Sequence, residues 1–452
     1  MELTRTIINA WKSSYAKNLS ITGLGVGIGS VISFLTAPVL SRVFSPEAYG
    51  IAGLYSNILS YLAMFGGLML PTAIVILPQP RRLYTLISGL KMLWMIGFVV
   101  TSVLVICFGS FLQQCFNDTS DGIWLWVLPL GLLISQVNEM VTALNVRGAN
   151  FATNVKVDIS NSLVTRGSSL GLGLVTSGHY LSLVLSSLLG IIATLGWQTR
   201  ASVRRIIAIP ASFAQLKKSL QDLAHYPRYL LPGNLLSVFS LTAPFLVFSI
   251  LYSPALAGVY LFADNMLLVP FRLASKAITP VYLQQISRLF REDHGQFRKL
   301  TMATNYSLFF IGLLPYALLT VWGAEIFSFV FGAAWEEGGV IAQYLAFFVL
   351  FRLSTSPLSA IYRVAEAERA SLITQLVLFL SRIIPLAIGL YWFSLHQALF
   401  LFAAGSLLGY FFHFHQLCRI GQLPFLRTIL LQSLIFALLC SFLWAIKLWL
   451  IT

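Results

Sequence analysis

The 452-residue chain is 58% hydrophobic and only 10% charged, whereas soluble domains average about 45–50% apolar and about 25% charged residues. That composition excludes an ordinary soluble globular protein and leaves no room for an extramembrane catalytic domain. The net charge of +14, from 29 Lys+Arg against 15 Asp+Glu, suggests either nucleic-acid binding or the basic cytoplasmic loops of a polytopic membrane protein, and the positions of the charges decide between them.

After a short amphipathic leader carrying Trp11 and Tyr15 among Arg5, Lys12 and Lys17, apolar stretches run at about 19–41, 49–77, 86–113, 122–146, 157–177 and 179–199. The leader is expected not to be a cleaved signal, since the first apolar run is too long and lacks a small-x-small cleavage site. A basic, mostly polar linker occupies Arg200 to Arg228, and spans resume at about 229–252, 255–285, 302–331, 338–362, 370–393, 396–417 and 428–450. Each of the thirteen is long enough to cross the bilayer as a helix of ~20 residues with its backbone hydrogen bonds closed internally. None shows the ten-residue alternation of a barrel strand. The expected fold is therefore all-α and polytopic.

With the N-terminus in the cytoplasm, 22 basic residues fall in inner loops and only Arg42 and Lys447 in outer ones, which carry Glu47, Asp118, Asp121, Glu336 and Glu337. The split obeys the positive-inside rule, so topology accounts for the net charge and nucleic acid is not needed. Odd parity puts the C-terminus outside. The four cysteines, Cys107, Cys115, Cys418 and Cys440, show no metal or redox spacing and read as packed thiols; neither do the six histidines suggest a metal site. No phosphate loop, GxSxG or HExxH pattern occurs, and the short outer loops offer a polymerase or ligase no platform. No cofactor or metal is expected, nor enzymatic activity.

The segment LTAPVLSRVFSPEAYGIAGLYSNIL (Leu35 to Leu59) is echoed by LTAPFLVFSILYSPALAGVYLFADNML (Leu241 to Leu267). Gly50 corresponds to Gly258, Asn57 to Asn265 and, with a shift, Tyr55 to Phe262. Six spans separate the copies, an even number, so the halves share one orientation and a parallel repeat is expected: an N-terminal lobe over 1–205, the linker over 206–228, a C-terminal lobe over 229–420 and an additional transmembrane segment over 424–452. Such lobes would enclose a cleft.

Five bases lie within apolar spans: Arg166, Arg272, Lys276, Arg352 and Arg382. Charges at membrane depth cost several kcal/mol and face a bundle interior or a wet cavity. Opposite them stand Glu139, Asp264 and, near a span end, Asp158, so one-to-one pairing cannot neutralise all five. The surplus predicts an anionic cargo, for which arginine offers a planar fork matching phosphate; Arg272 and Lys276, four residues apart, share a helical face. The alternative for each base is a structural clamp on an acid or a carbonyl. Glu139 and Asp264 are candidates for proton or sodium coupling, with a salt bridge as their alternative role. The prolines at 71, 129, 244, 270, 315, 357 and 385 are expected to kink spans or free carbonyls.

The run FLTAPVLSRVFSPEAYGIAGLYSNI, followed by a span ending LPTAIVILP, resembles the start of Wzx-type polysaccharide-biosynthesis flippases of the multidrug/oligosaccharidyl-lipid/polysaccharide exporter (MOP) superfamily. The matching positions are Pro38, Leu40, Arg42, Phe44, Ser45, Pro46, Glu47, Tyr49 and Gly50, and Asp264 with PFRLASKAITPVYLQQIS (Pro270 to Ser287) is similar to the family's second-half hairpin. The resemblance implies a MATE-like, V-shaped pair of six-helix bundles with a cationic cavity. It implies passage of an undecaprenyl-diphosphate-linked oligosaccharide across the bacterial inner membrane, in O-antigen (lipopolysaccharide), capsule or exopolysaccharide assembly, driven by an ion gradient. Implied partners are the lipid-linked cargo, membrane lipid, a polysaccharide polymerase and a chain-length regulator. The thirteenth span departs from a twelve-span core. Sibling exporters of lipid II or of drugs are the rival reading, and the excess of buried bases counts against cationic drugs.

Overall fold

A computed structural model describes residues 14–77, 79–148, 151–197, 206 and 208–451; of the side chains, those of 14–26, 76, 151, 152, 197, 275–277, 280 and 451 lie outside the description. The helices are α1 (Ser14–Val43), α2 (Pro46–Gly67), α3 (Ala73–Ile76), α4 (Pro80–Cys115), α5 (Ile123–Arg147), α6 (Phe151–Val175), α7 (Tyr180–Trp197), α8 (Phe213–Asp222), α9 (Leu231–Leu251), α10 (Pro254–Glu292), α11 (His294–Phe331), α12 (Glu336–Thr355), α13 (Ala360–Val364), α14 (Glu368–Trp392), α15 (Leu395–Gly421) and α16 (Phe425–Ile451). No strand occurs among the described residues.

Each apolar stretch has become a helix, with two interruptions. The stretch 49–77 stops at Gly67, where Leu68 and Met69 turn into the left-handed region (φ 47° and 58°) before a 3₁₀ turn at Leu70–Thr72. The stretch 338–362 breaks into a 3₁₀ turn at Ser356–Ser359, where Pro357 cannot donate to the helical ladder. Pro129, Pro244, Pro315 and Pro385 run inside continuous helices; α11, which holds Pro315, bends further on, at Trp322 (φ −118°, ψ 24°).

Among the described residues, nine helices are long and apolar enough to cross a membrane, and Gly27–Val43 and Tyr180–Gly196 are shorter apolar helices. The outward stripe of α16, with Leu430, Leu434, Leu438, Phe442 and Trp449 all exposed, follows helical spacing and would be untenable in water. The chain is a multi-pass membrane protein. Helix α6 is more polar, and several of its polar groups face other helices. Ser162 of α6 lies under Gly29 of α1, and Thr165 and Asn161 lie under Gly190 of α7. Cys418 is buried and Cys115 and Cys440 are half-buried, but Cys107 is exposed on α4 beside Ile106 and Phe108, so it is not the packed thiol expected from sequence.

The chain divides into two compact units, Met1–Leu261 and Phe262–Thr452. The division falls inside α10. The first unit keeps α9 and the start of α10 because α2 grips them. A side-chain carbon at Gly50 would lie 1.8 Å from the Pro254 carbonyl oxygen, and one at Gly258 would lie 1.9 Å from that of Pro46. These two glycines are repeat equivalents. The capping is repeated too: Ser45 Oγ accepts from the Ala48 amide and Ser253 Oγ from the Leu256 amide, both at 3.2 Å, a helix start that Ser before Pro at the first helical position favours. The two copies of the motif therefore cross backbone to backbone, each supplying the gap that the other's proline carbonyl fills.

The linker, where described, is stitched onto α4. Lys91 Nζ donates to the carbonyls of Ile206 (2.9 Å) and Ile209 (2.5 Å), Ser88 Oγ to that of Pro210 (2.6 Å) and Ser219 Oγ to that of Thr85 (3.3 Å). Ile206 and Tyr226 join a buried cluster with Leu86, Leu90, Trp94, Ile74 and Met140. Charged hydrogen bonds of this kind contribute about 1.5–3 kcal/mol each. Replacing Lys91 with alanine is accordingly expected to speed proteolytic cleavage in 206–212 at least tenfold, read on membranes by limited proteolysis; an unchanged rate would show that the apolar cluster alone holds the segment.

In the second unit α16 is an integral member. Gln432 Nε2 donates to Asn305 Oδ1 (2.7 Å), and Asn305 Nδ2 to the Ser354 carbonyl (3.1 Å), all three buried. Phe436 stacks on Phe347 at 4.5 Å, and Lys447 reaches the Val321 carbonyl (2.9 Å) and pairs with Glu325.

Candidate functional site

The second unit gathers three of the five membrane-depth bases about one acid. Asp264 and Arg272 stand on α10, Arg352 near the end of α12 and Arg382 in the middle of α14, and all three guanidiniums interact electrostatically with the Asp264 carboxylate. Together the three guanidiniums and the one carboxylate carry a formal charge of +2.

Each guanidinium has its own seat. Arg272 is exposed and donates from Nη2 to Asn265 Oδ1 at 2.8 Å. Arg352 is half-buried and lies over the Phe271 ring, 4.6 Å from its centroid, a cation–π contact that orients the plane without consuming its N–H donors. Arg382 is only 4% exposed, donates to Tyr410 Oη at 2.9 Å and lies 5.4 Å from that ring's centroid. The three thus run from an exposed to an enclosed position. Tyr316 of α11 interacts electrostatically with both Arg352 and Asp264, and its hydroxyl donates to the Leu267 carbonyl at 2.6 Å, fixing the ring against α10. His413 of α15 is buried behind Arg382, within 3.4 Å of Tyr362 Oη.

The cluster holds more basic groups than acidic ones, the kind of arrangement that attracts an anion. The three guanidiniums outnumber the one carboxylate, and attraction between unit charges is about four times stronger at an effective dielectric near 20 than in water. Arginine presents paired N–H donors in a plane, so Arg272 and Arg352 are equipped to take phosphate oxygens two at a time.

The remaining sequence candidates lie elsewhere. Arg166, on α6 of the first unit, donates from Nε to Ser33 Oγ of α1 at 3.3 Å and interacts with Tyr49. Glu139 is exposed on α5, with no hydrogen bond or ion pair among the described residues. Lys276 falls on α10, but its side chain lies outside the described residues. Sequence reading did not single out Asn265 as a partner, nor Tyr316, Tyr410 or Phe271. Asn265 carried a signal as the repeat equivalent of Asn57; the aromatics carried none, since a ring in an apolar span is ordinarily core.

The family described as Polysaccharide biosynthesis protein matches residues 39–338. The succinoglycan biosynthesis transport protein ExoT of Rhizobium meliloti (strain 1021) is 21% identical over 323 residues, which make up 70% of this chain and 62% of that protein; the chain thus spans less than two thirds of that relative's length. The lipid II flippase MurJ, in an inward closed conformation, superposes with a TM-score of 0.66 at 14% identity over 94% of this chain and 99% of the other. An inward-facing MATE-family multidrug transporter of the MOP superfamily gives 0.56 at 13% identity over 89% and 96% of the two chains. A MOP superfamily transporter from Pyrococcus furiosus, whose binding pocket is described as having reverse polarity, gives 0.53 at 14% identity over 89% and 95%. At such identities the structural likenesses establish the MATE-like fold.

Proposed function

Since the chain belongs to the polysaccharide biosynthesis protein family and has the MATE-like fold, we propose that it is a flippase that moves an undecaprenyl-diphosphate-linked oligosaccharide across the bacterial inner membrane, with its N-terminus in the cytoplasm. The observation that carries this reading is the group of three arginines about the single carboxylate of Asp264. A diphosphate is the part common to lipid-linked saccharides, and it brings the charge this site lacks. Arg272 and Arg352 take its oxygens, Arg382 supplies a fixed positive field from behind, and Lys276 shares the face of Arg272 by sequence spacing alone. Arg166 is a second cationic station in the first unit. The saccharide travels in a wet path while the prenyl chain stays in lipid, by alternating access. Asp264 is the coupling acid of the cluster, and Glu139 a second candidate away from it. A polymerase and a chain-length regulator act on the delivered cargo. An excess of bases within the apolar spans disfavours cationic drugs as cargo, since a site for cations is lined by acids.

The test is reconstitution. In proteoliposomes holding a radiolabelled undecaprenyl-diphosphate oligosaccharide, the fraction oxidised by membrane-impermeant periodate is expected to rise from about half, the share in the outer leaflet, toward completion. A fraction that stays at one half, with correctly inserted protein and the glycan of the host strain, would overturn the proposal.

A further inference from the structure

The structure leaves a basic, aromatic face on the linker that neither the fold nor the transport site uses. On α8 the inward side is Leu216 and Ser219, and the outward side carries Phe213, Lys217 and Lys218, all exposed. Arg228 and Tyr229 follow, immediately ahead of α9, and are exposed as well; Phe213 is 64% exposed and Tyr229 75%. Arg81 and Arg82 are exposed at the start of α4, one turn before the Thr85 carbonyl that receives the Ser219 hydroxyl. Asp222 is the exposed acid on α8 itself.

Depth follows from α4. Beyond the exposed ring of Tyr84, its exposed apolar stripe runs from Met95 through Phe98, Val99 and Val103, the part of the helix suited to acyl chains. Leu216 of α8 rests on Gly89, with its Cα 2.9 Å from where a side chain would start. Six residues of helix rise roughly 9 Å, close to the headgroup layer of roughly 5–8 Å that flanks the hydrocarbon on each side. Arg228 and Tyr229, at the foot of a membrane helix, reach the same level from a second direction. Aromatic rings and long basic side chains are the residues suited to that layer.

We propose that α8 and the Arg228–Tyr229 turn form a binding face for anionic phospholipid headgroups. Lys217, Lys218 and Arg228 pair with lipid phosphates, Phe213 and Tyr229 seat their rings in the headgroup layer, and the exposed Arg81 and Arg82 at the start of α4 add longer-range attraction. The stitching of the linker to α4 holds these groups in one register, so the face is built in advance of the lipid.

The experiment uses the purified full chain in detergent, titrated with dioleoylphosphatidylglycerol or with dioleoylphosphatidylcholine and read by native mass spectrometry. Phosphatidylglycerol is expected to bind at least tenfold more tightly. Each base near an anionic surface contributes a factor of about five, so the variant K217Q/K218Q/R228Q is expected to lose on the order of a hundredfold, and K217R/K218R to retain wild-type affinity. Equal affinity for the two lipids, or an unchanged affinity in the triple variant, overturns the proposal. If the triple variant is not recovered from membranes, the wild-type chain still decides: affinity for phosphatidylglycerol must fall steeply between about 50 mM and about 500 mM NaCl, and a flat response overturns the proposal. An acidic soluble protein that binds this face while phosphatidylglycerol does not overturns it too.

Discussion

Replacing Arg272 and Arg352 together by alanine is expected to abolish export of the polysaccharide while the protein remains in the membrane at near wild-type level. Each arginine–phosphate contact is a charge-assisted, two-pronged hydrogen bond contributing about 1.5–3 kcal/mol. Losing two removes a factor of a hundred or more in binding. The protein should persist because Arg272 is exposed and Arg352 half-buried against the Phe271 ring. Arg382 would be a poorer choice, since its removal would leave the Tyr410 hydroxyl buried without its donor and so confuse loss of site with loss of fold. Surface polysaccharide, lipid-linked single repeat units inside the cell, and an immunoblot of the membrane fraction read the outcome together. Lysine at both positions keeps the charge without the fork and should give partial export. Wild-type export from the alanine pair would remove these two residues from the cargo site.

The second large effect is structural. Gly258→Ala should deplete the protein from the membrane, because the added carbon would lie 1.9 Å from the Pro46 carbonyl oxygen and 2.6 Å from the Gly50 amide nitrogen. Both atoms are backbone of the capped first turn of α2, so relief requires moving a helix rather than turning a side chain. Overpacking of this kind costs about 1–3 kcal/mol where neighbours yield, and more where they do not. Gly50→Ala meets the Pro254 carbonyl in the mirror arrangement, so combining the two changes should worsen the loss. Gly167→Ala and Gly233→Ala, each with nothing within 4 Å of the added carbon, are the matched controls. If Gly258→Ala accumulates and melts like the controls, the crossing of the two repeat motifs is looser than described.

The arginines show where legibility in the sequence stops. A guanidinium inside an apolar stretch is conspicuous in one dimension, and a surplus of such groups over acids already implies an anionic partner. Which of them meet is not written there. Arg272, Arg352 and Arg382 lie on α10, α12 and α14, 80 and 30 residues apart in the chain, and helix packing alone brings them to Asp264. Arg166 is of the same residue type, yet it belongs with Ser33 and Tyr49 in the first unit. The linker is the converse case: its composition reads as a polar tether, but Lys91 and a few apolar side chains bind it to α4.

Sequence by itself determined the helical, multi-pass character, the duplicated Ser-Pro-Gly motif and the roster of charges within apolar spans. Those are consequences of local chemistry: a backbone in hydrocarbon must bond to itself, and apolar runs about twenty residues long can do so only as helices. Tertiary structure alone decided that the repeat motifs interlock through their glycines, that α16 is part of the second unit's core, and that three arginines come within electrostatic range of one carboxylate. Contacts between helices depend on the shapes and rotations of surfaces distant in the chain, and one side chain gives no sign of which remote partner will face it.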